Sequence, residues 1–403
     1  MFYGWRIVAG AFVCQLFVIG FFSFSMSLLV PPVQAEFGVN LEQVMYSMTI
    51  GTFMGMVLMP VAGILVDRYS TRWILSGGLA FTAVGLWWLA RSTSIWQFVW
   101  IYGLTMAIAN CFAGSLGCSA TVSRWFTRSR GKALGISAMG TSVGGVVLPV
   151  MVAYWIDRSG WRASLENTAL FIVIAILPFA LATIRSWPTD VGLEPEADES
   201  DLSDTAITES LSAKSIVACR AYWLIGISMG ILFGAYTAAL ANLTPYAMGL
   251  GTTSAEASGL IAITAAAGLI GKLLFGLAAD RVSLKLGLWT AQFLTCTGLL
   301  ILAWEPAYPI MILAVACLGL AAGGMLPVWG AMLARVFGVA SFGRAMGLMG
   351  PLITLLVMPS FTMIGKMVDV TGSYALPFIV FPALILIAAM LLVPLRLNAA
   401  ESL

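Results

Sequence analysis

The 403-residue sequence contains no histidine, and only 9% of its residues are charged. Histidine is the most common metal ligand and the usual proton switch near neutral pH, so its absence argues against metal catalysis. It also excludes the triads and dyads in which histidine is the general base. Five of the six cysteines lie in apolar runs, where a thiol acts as a small hydrophobic group. We therefore predict that the protein is not an enzyme, has no disulfide framework, and binds no metal or cofactor.

The composition predicts a membrane protein, because 60% of the residues are hydrophobic and too few polar residues remain to cover a soluble globule. Runs of about 20 apolar residues, long enough to cross a bilayer, recur along the chain. We expect Pro31 and Pro32 to end the first run. The twelve predicted transmembrane helices are 7–30, 43–66, 73–90, 96–122, 132–156, 166–184, 221–245, 257–279, 286–303, 309–333, 344–366 and 375–394.

Lysine and arginine set the predicted orientation, since positively charged loops stay on the cytoplasmic side. With the N-terminus inside, fifteen of these residues are cytoplasmic and four are outside. We therefore expect cytoplasmic N- and C-termini in a multi-pass protein of the plasma (inner) membrane. The formal net charge of +2 indicates no nucleic-acid partner.

Lys272 is the only charged residue well inside a predicted transmembrane run. It lies eight residues before Asp280, about 12 Å along a helix, which is too deep for its ammonium group to reach the membrane surface fully. A charge at this depth is costly unless it faces a wet cavity or a partner, so we interpret Lys272 as functional. The alternative is a structural lysine satisfied by backbone carbonyls and a trapped water. No carboxylate lies at comparable depth, and this favours an anion as the ligand.

An internal repeat divides the sequence into two halves. Gly-x-x-x-Asp-Arg-x-x-x-Arg at residues 63–72 is repeated, with lysine in the last position, at 276–285, an offset of 213. Arg-x-Phe recurs at 124–126 and 335–337, and Asp-x-x-Gly recurs at 157–160 and 369–372, offsets of 211 and 212. Three motifs at nearly one offset predict two six-helix halves in parallel orientation, 1–185 and 221–403. The acidic segment 186–220 is predicted to be a cytoplasmic linker.

Glycine pairs in two predicted helices suggest close helix packing. Gly140 and Gly144 lie four residues apart in the fifth helix, and Gly343 and Gly347 have the same spacing in the eleventh. Small residues at this spacing let neighbouring helices approach each other in a membrane. We expect both pairs to lie at helix contacts.

These motifs resemble the major facilitator superfamily, and the resemblance covers the whole chain. The opening segment 2–8 and the segments 124–126 and 130–135 are similar to the monocarboxylate transporter and oxalate:formate antiporter families. The resemblance implies an all-α integral membrane fold with twelve transmembrane helices in two pseudo-symmetric halves. It also implies that a basic residue in the pattern Gly271-Lys272-x-x-x-Gly276 binds the carboxylate of the substrate.

Two departures from those families restrict the predicted substrate. Gly268 stands where animal members carry an aspartate that takes part in proton coupling, and residues 347–358 lack the second basic residue of oxalate carriers. A dicarboxylate is thereby disfavoured. The superfamily resemblance implies that helices one, four, seven and ten line the cavity. The polar and aromatic candidates there are Gln15, Phe21, Ser25, Asn110, Phe112, Tyr236, Asn242 and Trp329.

The repeated loop motifs are expected to form a cytoplasmic latch. Asp67 and Asp280 can accept hydrogen bonds from helix N-terminal amides while they pair with Arg124 and Arg335. Such exposed pairs are weak enough to break during gating. The alternative is that the charges only set the membrane orientation. The predicted latch residues are Asp67, Arg68, Arg72, Arg124, Asp280, Arg281 and Arg335.

The sequence thus predicts a secondary transporter of a small monocarboxylate, of lactate or pyruvate size, that works by alternating access as a monomer. With no histidine and no intramembrane carboxylate, Lys272 is the evident proton carrier, which favours proton-linked symport. If Lys272 stays charged, obligatory exchange of organic anions follows instead. A drug or amphiphile exporter is a weaker alternative, because it usually has an intramembrane carboxylate. A membrane sensor or structural protein is disfavoured.

Overall fold

The computed structural model describes residues 2–126, 129–193, 211–278, 283–338 and 341–394. By their contacts the residues group into two compact units. The N-terminal unit consists of 1–205 with 253–262, and the C-terminal unit consists of 206–252 with 263–403. The sequence-based boundaries at 185 and 221 stay a prediction.

The N-terminal unit contains helices α1 to α8. The first transmembrane segment is α1 (Gly4–Gly20), a π-helical turn (Phe21–Ser25) and α2 (Met26–Phe37). It is followed by α3 (Leu41–Arg68), α4 (Thr71–Leu89), α5 (Ile95–Ala113) and α6 (Ser115–Trp125). The last segments are α7 (Arg130–Phe171), a second π-helical turn (Ile172–Ile176) and α8 (Leu177–Thr183).

The C-terminal part of the chain begins with the short helix α9 (Ala213–Ala218). The seventh segment is α10 (Arg220–Ala241) with α11 (Leu243–Gly249), and the eighth is α12 (Ser254–Ala278), whose first residues group with the N-terminal unit. The remaining helices are α13 (Leu284–Ala303), α14 (Tyr308–Phe337), α15 (Phe342–Thr371) and α16 (Ala375–Leu391).

The predicted number of twelve transmembrane helices is confirmed. Within the described residues, nine apolar helical segments are long enough to cross a membrane. One of these, Lys132–Thr183, holds two helices because the backbone leaves helical geometry at Gly160. The 19-residue α4 and the 17-residue α16 complete the set.

The first transmembrane segment is longer than predicted. We expected Pro31 and Pro32 to end it, but α2 continues to Phe37 and stops at Gly38, which has a left-handed φ of 62°. A proline removes one backbone donor, but its fixed φ near −65° fits a helix. The buried neighbours Leu29 and Val33 pack this turn, so the helix continues through the prolines.

Two glycines mark equivalent helix ends in the repeat. Gly160 has a φ of 81° and ends the fifth transmembrane helix, and Gly372 has a φ of 72° and ends α15. Residues with a Cβ rarely adopt this conformation, so each motif needs glycine at this position. In both units, the glycine of the Asp-x-x-Gly motif therefore ends a transmembrane helix.

The glycine pairs behave differently in the two units. A Cβ added at Gly140 or Gly144 would come closer than 3.0 Å to backbone carbonyls of α1, so this predicted close approach is confirmed. A Cβ at Gly343 or Gly347 would meet no described atom within 4 Å, so the prediction for α15 is wrong. Spacing alone does not say whether a neighbouring helix is present on that face of a helix.

A charged cluster ties three helix ends together in the N-terminal unit. Arg162 donates to Glu36 at 2.6 Å and 3.1 Å, and to the carbonyls of Ala90 and Ser92 at 2.5 Å and 2.7 Å. The indole of Trp161 also donates to Glu36, at 2.6 Å. The planar guanidinium group thus donates hydrogen bonds in several directions at once, and the compact ammonium group of a lysine cannot reproduce this geometry.

We expect Arg162→Lys to lower the free energy of unfolding by about 1–3 kcal/mol, because it removes charge-assisted hydrogen bonds to three helix ends. Thermal unfolding of the purified protein measures this effect. Arg158→Lys is the matched control, since Arg158 is exposed and lies over the Tyr154 ring. Equal unfolding temperatures for the two variants would contradict the role of Arg162.

Candidate functional site

Lys272 lies on α12 in the part that belongs to the C-terminal unit. It is six residues, about 9 Å along the axis, before Ala278, the last described residue of this helix. Its side chain is partly exposed, and Ile270, Leu273 and Leu274, which are near it in sequence, have largely exposed apolar side chains. The structure thus places the ammonium group on an apolar helix, away from the helix end.

The backbone of α12 around Lys272 is packed directly against α14. A Cβ added at Gly323 would be closer than 3.0 Å to the carbonyl oxygen of Gly268 and 2.5 Å from the backbone nitrogen of Lys272. Gly271 and Gly319 have the same kind of contact with backbone carbonyls of the partner helix. This glycine contact between α12 and α14 fixes the point from which the Lys272 side chain starts. Sequence reasoning missed it, although Gly319 and Gly323 have the same four-residue spacing as Gly140 and Gly144.

Trp329, the predicted aromatic wall, lies on α14 beyond this contact. Its side chain is only 8% exposed, and its indole nitrogen lies 3.1 Å from the sulfur of Met349 on α15. The indole therefore packs between α14 and α15. Its proposed contact with a substrate remains a prediction.

Tyr236 and Asn242 lie on the seventh transmembrane segment. Tyr236 is half-buried on α10, and Asn242 is fully buried where α10 meets α11. The Asn242 amide donates to the Ala238 carbonyl at 2.9 Å and accepts from the Tyr374 hydroxyl at 3.5 Å. Asn242 therefore stabilises the junction between the two helices, a role that the sequence did not predict.

The other pocket candidates belong to the N-terminal unit. Gln15 is buried on α1 and donates to the Ser137 hydroxyl on α7 at 2.7 Å. Asn110 on α5 donates to the Met106 carbonyl at 3.0 Å, and Phe112 is half-buried near the end of α5. Each amide N–H2 thus has a partner within its own unit.

Three of the helices predicted to line the cavity are interrupted. The first transmembrane segment contains the π-helical turn Phe21–Ser25, and the fourth breaks at Gly114 between α5 and α6. The seventh breaks at Asn242 between α10 and α11. Irregular backbone at membrane depth is tolerated where it is buried in protein or lines a water-filled cavity. Each break lies within a few residues of a pocket candidate.

The π-helical turn introduces a residue that sequence reasoning did not select. The buried Tyr102 on α5 donates from its hydroxyl to the Phe22 carbonyl at 3.4 Å. The buried Ser25 hydroxyl has no hydrogen-bond partner within the described residues. A tyrosine that faces a widened helix turn has no signature in a single sequence.

The described latch residues contact backbone and aromatic groups. Arg124 donates to the Val66 carbonyl at 2.6 Å, and its guanidinium carbon lies 4.2 Å from the ring centroid of Trp187. Arg72 donates to the Leu181 carbonyl at 2.9 Å. Both arginines thus hold neighbouring helix ends of the N-terminal unit together.

For the remaining latch residues, the part of the chain that the structure describes gives no hydrogen-bond partner that would test the predicted pairs. Arg68 and Arg335 are exposed. The Asp67 side chain, and Asp280 with Arg281 as whole residues, lie outside the described part of the structure. The predicted carboxylate pairs of the latch therefore stay predictions.

The chain belongs to the Major Facilitator Superfamily, whose family model matches residues 11–273. It is a multi-pass membrane transporter, and members of this superfamily move small molecules across membranes. Over 96% of both chains it has a TM-score of 0.71, at 15% identity, to the crystal structure of a bacterial homologue of the human lysosomal transporter Spinster. This likeness confirms the fold predicted from the repeat.

Two relatives differ in what their names say they transport. The chain is 29% identical to the fujikurins efflux protein of Gibberella fujikuroi over 375 residues, which cover 89% of this chain and 74% of the relative. It is 24% identical to monocarboxylate transporter 11 of Mus musculus over 396 residues, covering 95% and 85% of the two chains.

We expect Gly323→Ala to destabilise the protein by about 1–3 kcal/mol, because the new methyl group would collide with backbone atoms of α12 that cannot move aside easily. Ligand affinity should fall as well, since the Lys272 backbone is displaced. Gly347→Ala is the control, because this glycine faces open space and alanine favours a helix. Thermal unfolding of both variants checks this, and a Gly323→Ala protein as stable as Gly347→Ala would contradict it.

Proposed function

We propose that the chain is a secondary transporter of a small monocarboxylate and that Lys272 binds the carboxylate. The observation that carries this proposal is the position of Lys272 on an apolar helix, about 9 Å from the last described residue of that helix. A charged group at this depth in a bilayer is costly and is usually functional, so we infer that this lysine serves a ligand. An anion that enters the site gains a countercharge where water is scarce.

The glycine contact between α12 and α14 supports a binding role. Because the backbone at Lys272 packs against Gly323, the lysine stem starts from a fixed point and less conformational entropy is lost on binding. The interrupted backbone of the first, fourth and seventh segments adds a second line of support. It lies on helices that the superfamily resemblance assigns to the cavity, and such backbone is suited to a hydrated surface.

The two halves of the repeat indicate the number of charges on the substrate. At the offset of 213 residues that relates the loop motifs, the position equivalent to Lys272 is Met59, an exposed apolar residue. No charged residue lies among 347–358 on α15. One fixed positive charge fits one carboxylate. In the unit that carries Lys272, Trp329 and Tyr236 are the candidates for a short carbon chain and Asn242 for a polar substituent. The candidates of the N-terminal unit are Phe112, Gln15 and Asn110.

Alternating access of the transporter rests on the predicted latch. We place the N- and C-termini and the latch on the cytoplasmic side of the plasma (inner) membrane, since most lysines and arginines are predicted to lie there. Arg124 donates to the carbonyl of Val66, the residue before Asp67, so it lies next to the loop motif to which we assign the latch. A monomer with two six-helix halves suffices for this mechanism.

Proton coupling follows from the identity of the basic residue. A lysine in a desolvated site can release its proton, whereas an arginine stays protonated. Binding of a carboxylate favours the protonated lysine, so anion and proton bind with positive mutual coupling and cross together. We therefore propose symport, with anion exchange as the competing mechanism if Lys272 keeps its charge throughout the cycle.

Export of a larger amphiphile is the second candidate function. It is favoured by the name of the fujikurins efflux protein, which shares 29% identity with this chain. An exporter of uncharged metabolites would not require the charge of Lys272. The two functions therefore differ in how much ligand binding depends on this residue.

Lys272→Gln should weaken monocarboxylate binding at least tenfold, because a carboxylate then loses its countercharge in a poorly hydrated site, worth about 1.4 kcal/mol or more. The measurement is the thermal stabilisation of wild-type and variant protein over a panel of short organic acids and uncharged amphiphiles. Lys366→Gln, which changes an exposed lysine on α15, is the control and should leave binding intact. If only amphiphiles stabilise the wild type, or if Lys272→Gln binds acids normally, the carboxylate proposal fails.

Lys272→Arg should retain anion binding and exchange but lose accumulation driven by a pH gradient, because arginine cannot release the proton. Uptake into proteoliposomes that contain no internal acid measures this directly. The wild type should accumulate acid when the outside is made acidic. Wild-type uptake that requires preloaded acid at every pH would show exchange and would disprove symport.

A further inference from the structure

An apolar cavity of the C-terminal unit lies apart from Lys272. It is a groove of about 480 Å³ between α13 and α16, with Trp289, Phe293 and Cys296 on one side and Leu386, Ala389 and Met390 on the other. We call it the α13–α16 groove. It involves neither the helix that carries Lys272 nor the glycine contact with α14, so it does not belong to the site described above.

The outer edges of the α13–α16 groove are apolar and strongly exposed. Phe293 is 69% exposed, Met390 62% and Leu386 58%. Exposed apolar surface on a membrane-spanning helix is suited to contact with acyl chains. The bilayer itself is therefore the source of the occupant.

One end of the groove carries a positive charge. The Lys285 ammonium group donates to the Val393 carbonyl at 2.5 Å and lies 5.1 Å from the ring centroid of Trp289. The Trp289 indole donates to the Ala389 carbonyl at 3.2 Å. These contacts hold the ammonium group at the mouth of the groove. Tryptophan and lysine are both suited to the interface between hydrocarbon and headgroups.

The length of the groove fits one leaflet. Lys285 lies in the first turn of the 20-residue α13, a helix about 30 Å long, which matches the hydrocarbon core of a bilayer. Lys285 is thus at the membrane surface. Cys296 is eleven residues further along the same helix, about 16 Å deeper, which is close to the bilayer midplane.

We propose that the α13–α16 groove binds an anionic glycerophospholipid from the adjacent leaflet. One acyl chain lies along the groove from Trp289 towards Cys296, and the phosphate contacts the Lys285 ammonium group. The N-terminus of α13 next to Lys285 adds a favourable dipole for the phosphate. A zwitterionic lipid fills the same groove but gains less from the charge of Lys285.

Native mass spectrometry of the purified protein, titrated with phosphatidylglycerol or with phosphatidylcholine of the same acyl chains, tests the proposal. Wild type should bind phosphatidylglycerol about fivefold more tightly, the effect expected of one lysine near an anionic headgroup. Lys285→Gln should lose this preference. Ala389→Phe should weaken both lipids, because the added ring fills the groove.

Lys132→Gln is the matched control, since Lys132 also lies over a tryptophan ring, that of Trp5 at 5.8 Å, but in the N-terminal unit. It should keep the full preference for phosphatidylglycerol. Thermal unfolding without added lipid verifies that each variant is folded. If the preference survives in Lys285→Gln, or if Ala389→Phe binds both lipids as wild type does, the proposed site is wrong.

Discussion

Hydrocarbon offers no hydrogen-bond partner to a backbone amide or to a charge, and the structure follows from this constraint. Unbroken α-helices satisfy it without help, and most of the described transmembrane segments are such helices. The exceptions are informative for the same reason. The irregular turns at Phe21–Ser25, Ile172–Ile176, Gly114 and Asn242 leave polar backbone that needs protein or water beside it. Lys272 has the same requirement in a stronger form, because a charge is more costly than an amide.

Close contact between helices positions that charge. In the C-terminal unit, the carbonyl of Gly268 faces Gly323, and any side chain at 323 would collide with it. In the N-terminal unit, Gly55 and Cys111 occupy the equivalent positions, at offsets of 213 and 212, and the Cys111 sulfur lies 3.6 Å from the Gly55 carbonyl. Replacement of cysteine by glycine lets the helix backbones approach further in the half that carries Lys272. Both units thus have a close helix contact at equivalent positions, but only the C-terminal unit has a lysine beside it, where the N-terminal unit has Met59.

The fold could be predicted from the sequence because both of its main signals are local. Hydrophobic length predicted the twelve helices, and the loop motifs predicted the Major Facilitator Superfamily, which the family match confirms. The details that failed depend on neighbouring helices. Gly343 and Gly347 have the same spacing as Gly140 and Gly144, but no described atom lies against them. Likewise, a carbonyl of the π-helical turn in the first segment accepts a hydrogen bond from Tyr102, which is 80 residues away in the sequence. Of the candidate site, the sequence predicted the helix that carries Lys272, whereas the packing of its backbone against Gly319 and Gly323 emerged only from the structure.

Depth in the membrane separates the two lysines of the C-terminal unit to which we assign ligands. Lys285 lies in the first turn of α13, where its ammonium group meets headgroups that bring their own hydration. Lys272 lies about 9 Å from the last described residue of α12, where an anion must shed most of its water before contact. A large phosphate headgroup on a lipid anchor suits the first position, and a small carboxylate that can be carried through the protein suits the second. We infer that the same ammonium chemistry favours retention of a lipid at the membrane surface and passage of a small substrate at the deeper position.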